Sequence, residues 1–172
     1  MAKIVVGVCG SVAAVRTPEL VRELVRQGFE VECVMSESAR CILHPYVLEW
    51  ASQNRVITKI TGMVEHVRLL GTEGEADVLL ISPATSNTIS KIASGIDDTT
   101  VTTMAATALG CDRKVIIVPA MHQSMYENPF VAENIVRLES AGVVFVGPRI
   151  EEGKAKIAEE KDIIDAVKKA VC

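Results

Sequence analysis

Aromatic side chains are scarce in this chain, with one Trp, two Tyr and three Phe among 172 residues. So few rings exclude a stacking platform for single-stranded nucleic acid. A basic surplus is missing too. Eighteen Lys and Arg face 22 Asp and Glu, and the net charge of −4 argues against nucleic acid or anionic membrane as main partner. No stretch of about 18 uncharged apolar residues occurs, so nothing is expected to span a membrane. Cys9, Cys33, Cys41, Cys111 and Cys172 form no C-x-x-C pair, and Cys9 and Cys33 sit inside apolar runs. They read as free thiols of a reducing compartment, with neither a disulfide nor a metal site expected. The first residues, MAKIVVGVCGS, carry one Lys and a short apolar run. They read as a first strand rather than a signal peptide, and a cytoplasmic location is expected.

Apolar residues make up 49% of the chain and charged residues 23%, which rules out a disordered polymer. The length predicts a single domain over residues 1–172. Folding at this size hides roughly 70% of the unfolded surface, so no staple is needed. Strand-length apolar runs occupy residues 4–9, 30–35 (EVECVM), 77–82 (DVLLIS), 114–119 (KVIIVP) and 143–147 (VVFVG). They are continuous rather than alternating, as in strands covered on both faces. Helical patterns lie between them at residues 18–27, 87–94, 99–109, 129–141 and 162–171. Thr17-Pro18-Glu19 is a helix start signal, and Gly28, Gly95, Gly110 and Gly142 act as stops. The alternation predicts a doubly wound α/β fold of the Rossmann or flavodoxin-like kind, a three-layer sandwich around a parallel sheet. Residues 148–160 (PRIEEGKAKIAEE) are expected to be the least structured. Arg113 and Lys114 read as a solvated turn, and His44 as a surface loop residue.

In such a sheet, ligands bind beyond the carboxyl ends of the strands. Here those ends read Gly7-Val8-Cys9-Gly10-Ser11, Ser36-Glu37-Ser38, Pro83-Ala84-Thr85-Ser86-Asn87-Thr88 and Ala120-Met121-His122-Gln123. Small residues, hydroxyls and free main-chain N–H groups at helix starts are what a phosphate requires. Ser and Thr also cap helices, and capping alone explains any one of these ends. All of them together favour a phosphorylated cofactor. The first turn, G-x-x-G-S, fails the G-x-G-x-x-G dinucleotide pattern, so a mononucleotide fits better. The pattern alone does not separate a flavin from another phosphate ester.

Four blocks resemble the homo-oligomeric flavin-containing cysteine decarboxylase family. They are Gly7–Ala14 with Pro18-Glu19-Leu20, then His66-Val67-Arg68-Leu69 (the family's His-Ile-x-Leu), then residues 83–88 (its PASANT motif) and residues 119–126 (its PAMNxxMW motif). The resemblance covers nearly the whole chain and is strongest to the branch that serves coenzyme A biosynthesis. It implies FMN as cofactor, bound by Gly10, Ser11, Val12, Ser36, Thr85, Ser86, Asn87, Thr88 and Ala120. His66 falls on the family's catalytic base; without the family, a lone histidine in an apolar stretch reads as structural. His122, Met125, Lys154 and Lys156 would meet the substrate. Cys9 would lie near the flavin as packing.

The activity implied is decarboxylation of 4′-phosphopantothenoylcysteine to 4′-phosphopantetheine. In the family the cysteine is first oxidised to a thioaldehyde, CO₂ leaves to give an enethiolate, and the coenzyme A branch then reduces it. Imidazole gives and takes protons near neutral pH, which suits His66 to this work. A homotrimer or dodecamer is implied, with a phosphopantothenate–cysteine ligase as partner domain. Two positions depart from the pattern. His122 stands where the family has the Asn that grips the substrate carboxylate, and residues 148–156 lack the flap Cys that donates the last proton. Alternatives within the family are an oxidative cysteine decarboxylase, a pterin reductase, a flavin prenyltransferase and a regulatory subunit.

Overall fold

The computed structural model describes residues 1–151 and 154–172, and the side chain of Lys154 lies outside the description. Five parallel strands form the sheet: β1 (Lys3–Val8), β2 (Glu30–Met35), β3 (Val78–Ala84), β4 (Lys114–Pro119) and β5 (Val144–Phe145). Their order is β2-β1-β3-β4-β5, so the winding reverses between β1 and β3. The runs read from the sequence are these strands, within a residue or two for the first four; the last is shorter than expected. β1 and β3 are buried along their whole length, which is why their Val, Ile and Leu run without alternation.

Each face of the sheet holds its own core. Ile4, Val6, Val8, Val78, Leu80, Ile116 and Val118 point to one side. There they meet α1 (Thr17–Arg26), α3 (Pro45–Ser52) and α9 (Glu160–Val171) through Leu24, Leu48 and Val167. Val5, Leu79, Ile81, Val115 and Ile117 point the other way. They meet α4 (Glu65–Leu70), α5 (Ser86–Ala93), α6 (Thr100–Gly110) and α8 (Pro129–Ser140) through Leu69, Ile89, Met104 and Ile135. The period-2 reversal of strand side chains thus produces the three layers.

Short elements complete the chain: a 3₁₀ turn at Val12–Arg16, α2 (Glu37–Arg40) and α7 (Gln123–Tyr126). Residues 148–160 depart from the expectation of little structure. They contain an antiparallel pair, β6 (Arg149–Glu151) with β7 (Lys154–Lys156), and lead into α9. Arg149 ties this pair down by donating to the Ile157 carbonyl at 3.0 Å and pairing with Glu159 at 2.6 Å. The charges of this stretch pair with one another at the surface.

Candidate active site

The strand ends are bound to one another before any ligand is considered. The Cys9 N–H donates to the Pro83 carbonyl at 3.2 Å, Ser36 N–H to Val8 at 3.0 Å, and Ala120 N–H to Ala84 at 2.9 Å. The Thr100 hydroxyl donates to the Met35 carbonyl at 2.6 Å. The carboxyl ends of β2, β1, β3 and β4 thus form one continuous edge, and it holds every cofactor residue expected from the sequence.

Three ends turn through a hydroxyl cap. Ser11 Oγ accepts from Ala13 N–H at 3.3 Å, Ser36 Oγ from Ala39 N–H at 3.2 Å, and Thr85 Oγ1 from Thr88 N–H at 3.2 Å. Capping and ligand binding do not compete here. A capping hydroxyl accepts with a lone pair and keeps its own O–H to give. Thr85 gives its proton to Thr88 Oγ1 at 3.1 Å, whereas the Ser11 and Ser36 hydroxyls show no acceptor among the described residues. At Gly10 the backbones come so close that an added Cβ would lie 2.5 Å from the Ser38 Cβ. Beside Ser11, Val12 is 80% exposed and offers an apolar wall at the mouth of the edge. Two unspent hydroxyl donors, a close backbone approach and an apolar wall fit a mononucleotide with a flat ring and a phosphate ester.

The remaining positions differ in character. Ser86 is half-buried and Asn87 exposed. Thr88 is buried next to the Cys9 thiol, its hydroxyl accepting from Thr85 at 3.1 Å. Burial pushes that thiol up to about 11, against the pull of its bonds to Thr88 and Thr85, so Cys9 is neutral packing. Met125 is exposed on α7. His122 caps α7, its Nδ1 accepting from Ser124 N–H at 3.3 Å. With Nδ1 accepting, Nε2 is left as the donor of this exposed ring, suited to a carboxylate. The Lys156 ammonium pairs with Glu151 at 2.7 Å.

His66 lies on the first turn of α4 and is half-buried. Its Nδ1 is buried and has no hydrogen-bond partner among the described residues, as is also true of Gln123 Oε1. An orphaned buried polar atom costs about 1–3 kcal/mol, so such atoms call for an explanation. Arg113 corrects the expectation of a solvated turn. Its guanidinium donates to the carbonyls of Gly71 at 2.8 Å, Thr72 at 2.9 Å and Gly74 at 3.1 Å, closing the loop after α4. His44 is exposed as expected and also caps α3, accepting from Tyr46 N–H at 3.3 Å. Not foreseen was a cavity of about 560 Å³ beyond β2, lined by Glu37, Arg40, Lys59, Asp98, Thr99 and Thr100.

A reversed-winding parallel sheet with hydroxyl caps along its carboxyl edge defines an α/β domain built to take a mononucleotide. The sequence profile of the Flavoprotein family matches residues 1–172, and the chain belongs to that family. It is 54% identical over 163 residues to the coenzyme A biosynthesis bifunctional protein CoaBC of Thermococcus kodakarensis, covering 94% of this chain and 40% of that protein. The chain therefore spans well under half the length of this relative. Among solved structures, the FMN-dependent cysteine decarboxylase SpaF superposes with a TM-score of 0.82 at 29% identity, over 97% of this chain and 98% of that one. A PPC decarboxylase variant complexed with pantothenoylaminoethenethiol superposes with a TM-score of 0.82 at 26% identity, over 97% and 96%. The resemblance to the flavin-containing cysteine decarboxylases is borne out. Among the described residues no helix is long and apolar enough to cross a membrane.

Proposed function

We propose that residues 1–172 form one FMN-binding domain that decarboxylates 4′-phosphopantothenoylcysteine to 4′-phosphopantetheine in coenzyme A biosynthesis. The observation that carries this reading is the meeting of three decarboxylase-like blocks, at β1, β3 and β4, on one sheet edge with unspent hydroxyl donors. Gly10, Ser11, Val12, Ser36, Thr85, Ser86, Asn87, Thr88 and Ala120 would hold FMN, with Thr88 acting through Thr85. Bound there, FMN would supply the two-electron chemistry that gives CO₂ loss from a cysteine carboxylate an electron sink.

The chain's own residues supply position and protons. His66 takes and returns the proton at the reacting end of the substrate. The Nε2–H of exposed His122 holds the substrate carboxylate, in the role the family gives to Asn. Met125 packs against the cysteine end. Lys156 reaches the substrate phosphate after leaving Glu151, an exposed pairing worth about 1 kcal/mol or less. Lys154 would assist from the same hairpin. Exposed Val12, Val15, Phe130 and Val136 support a homotrimer or dodecamer that covers them. A phosphopantothenate–cysteine ligase would consume the same pathway's precursor beside it, in the cytoplasm.

The absence of a cysteine from residues 148–156 favours a second reading in which the product is the enethiol. One experiment separates the two. The FMN-loaded chain is incubated with 4′-phosphopantothenoylcysteine and the product is resolved by mass. Loss of CO₂ alone supports the saturated thiol, and loss of CO₂ with two hydrogens supports the enethiol. His66→Asn should abolish either product while leaving FMN bound. Full turnover by that variant would overturn the role of His66.

A further inference from the structure

We infer that Arg68 is a positioning residue for His66, acting through Glu32 and Glu75; the inference rests on the proposed proton-handling role of His66. α4 has six residues, too few to hold helical shape in water unaided. It also starts from Val64 at φ 46°, a left-handed conformation that a β-branched residue adopts only under constraint. Something outside the helix must therefore hold it.

Two clamps do so. At the start, the Glu65 carboxylate accepts from Thr61 N–H at 2.9 Å and from the Thr61 hydroxyl at 2.5 Å. On the last turn, Arg68 forks onto Glu32 of β2, Nη2 to Oε2 at 2.8 Å and Nη1 to Oε1 at 3.1 Å. Nη1 also reaches Glu75 at 2.9 Å. Those carboxylates are themselves fixed by Lys3 on β1, which lies 3.0 Å from Glu32 and 2.6 Å from Glu75. Lys3 and Glu32 side chains are only 10% and 13% exposed while Arg68 and Glu75 are 40% and 45% exposed, so the network is anchored in a shielded pair and opens to solvent at Arg68.

The geometry of the helix turns this clamp into a setting for His66. At 3.6 residues per turn, Arg68 points about 200° away from His66, while Leu70 falls about 40° from it. Leu69 and Leu70 are fully buried. Gripping Arg68 from the strand edge therefore presses the opposite face, with His66, toward the core. A planar, two-pronged contact fixes rotation about the helix axis, which a single-point ammonium would not. Freed of it, α4 can roll, and a small displacement of a proton-handling group is enough to slow a reaction about ten- to hundredfold.

The test uses the FMN-loaded full chain and the variants Arg68→Gln, Arg68→Lys and Glu32→Gln. Arg68→Gln should lower kcat about tenfold or more with KM unchanged, and flavin absorbance per chain should stay at the wild-type value. The His66 Cε1–H NMR resonance should shift or split, a signature that simple loss of stability would not produce. Arg68→Lys should keep the thermal midpoint near wild type yet recover only part of kcat, because it lacks the fork. Unchanged kcat and an unmoved His66 resonance in Arg68→Gln would overturn the inference while leaving the role of His66 standing. Full turnover by His66→Asn alone would instead remove the reading beneath it.

Discussion

Replacing Gly10 by Ala tests the closest approach in the candidate site. The new Cβ would sit 2.5 Å from the Ser38 Cβ, 3.2 Å from the Ser38 carbonyl carbon and 3.4 Å from its Cα. Ordinary contact begins near 3.4 Å, so the loop after β1 and the start of α2 must part by about 0.9 Å. The Ser38 backbone is part of the obstacle, so a change of side-chain rotamer cannot relieve it. Forced separation of this kind costs about 1–3 kcal/mol. For a chain of this length that lowers Tm by roughly 2–12 °C. The same movement separates Ser11 from Ser36, so FMN affinity should fall along with stability. Gly110→Ala is the control: nothing lies within 4 Å of its added Cβ, and it closes α6. It should raise stability by about 0.4–1 kcal/mol by restricting the unfolded chain. Calorimetry and a flavin fluorescence titration on the two variants decide the matter. Wild-type Tm and wild-type FMN affinity in Gly10→Ala would refute the claim that this contact shapes the edge.

Leu80→Ala, at a fully buried position between β3 and the α1–α3–α9 layer, should cost about 2–5 kcal/mol in urea unfolding. Burial pushes Cys9 up to about 11 and Cys33 up to about 12, from 9.0 when unfolded. The unfolded thiols ionise first as pH rises. Their contribution to stability is therefore complete below pH 9 and is lost as pH climbs toward 11–12. Chemical unfolding across that window should show the fall, and Cys33→Ala should flatten part of it. At pH 9 an alkylating reagent should label exposed Cys41 and Cys172 and leave Cys9 and Cys33 untouched in the intact protein, as read by mass.

The sheet was legible because its strands are continuous apolar runs between glycine stops, and local composition suffices to mark them. The strand-end residues were legible because ligands in this topology gather at carboxyl ends, so Ser11, Ser36 and Thr85 could be named before any coordinates. Capping was the competing reading for these ends, and at the β3 end the cap is Thr85, with Thr88 supplying the N–H it accepts from. Other features depend on contacts between distant parts of the chain. Arg113 reads as a turn residue because its acceptors, Gly71, Thr72 and Gly74, lie some forty residues earlier. Arg68 meets Glu32 across 36 positions, and Lys3 meets Glu75 across 72. The β6–β7 pair was not legible because its strands have three residues each and no apolar alternation, and Arg149 is held by residues further along the chain, the Ile157 carbonyl and Glu159. In Lys156 the charge was seen and its partner was not.

The central claim is that the carboxyl edge of this sheet holds FMN. Titrating the purified apo chain with FMN while following flavin fluorescence tests it directly. The account predicts saturable quenching at one flavin per chain, weakened in Gly10→Ala. A chain that stays colourless and leaves the fluorescence of added FMN unchanged would contradict it.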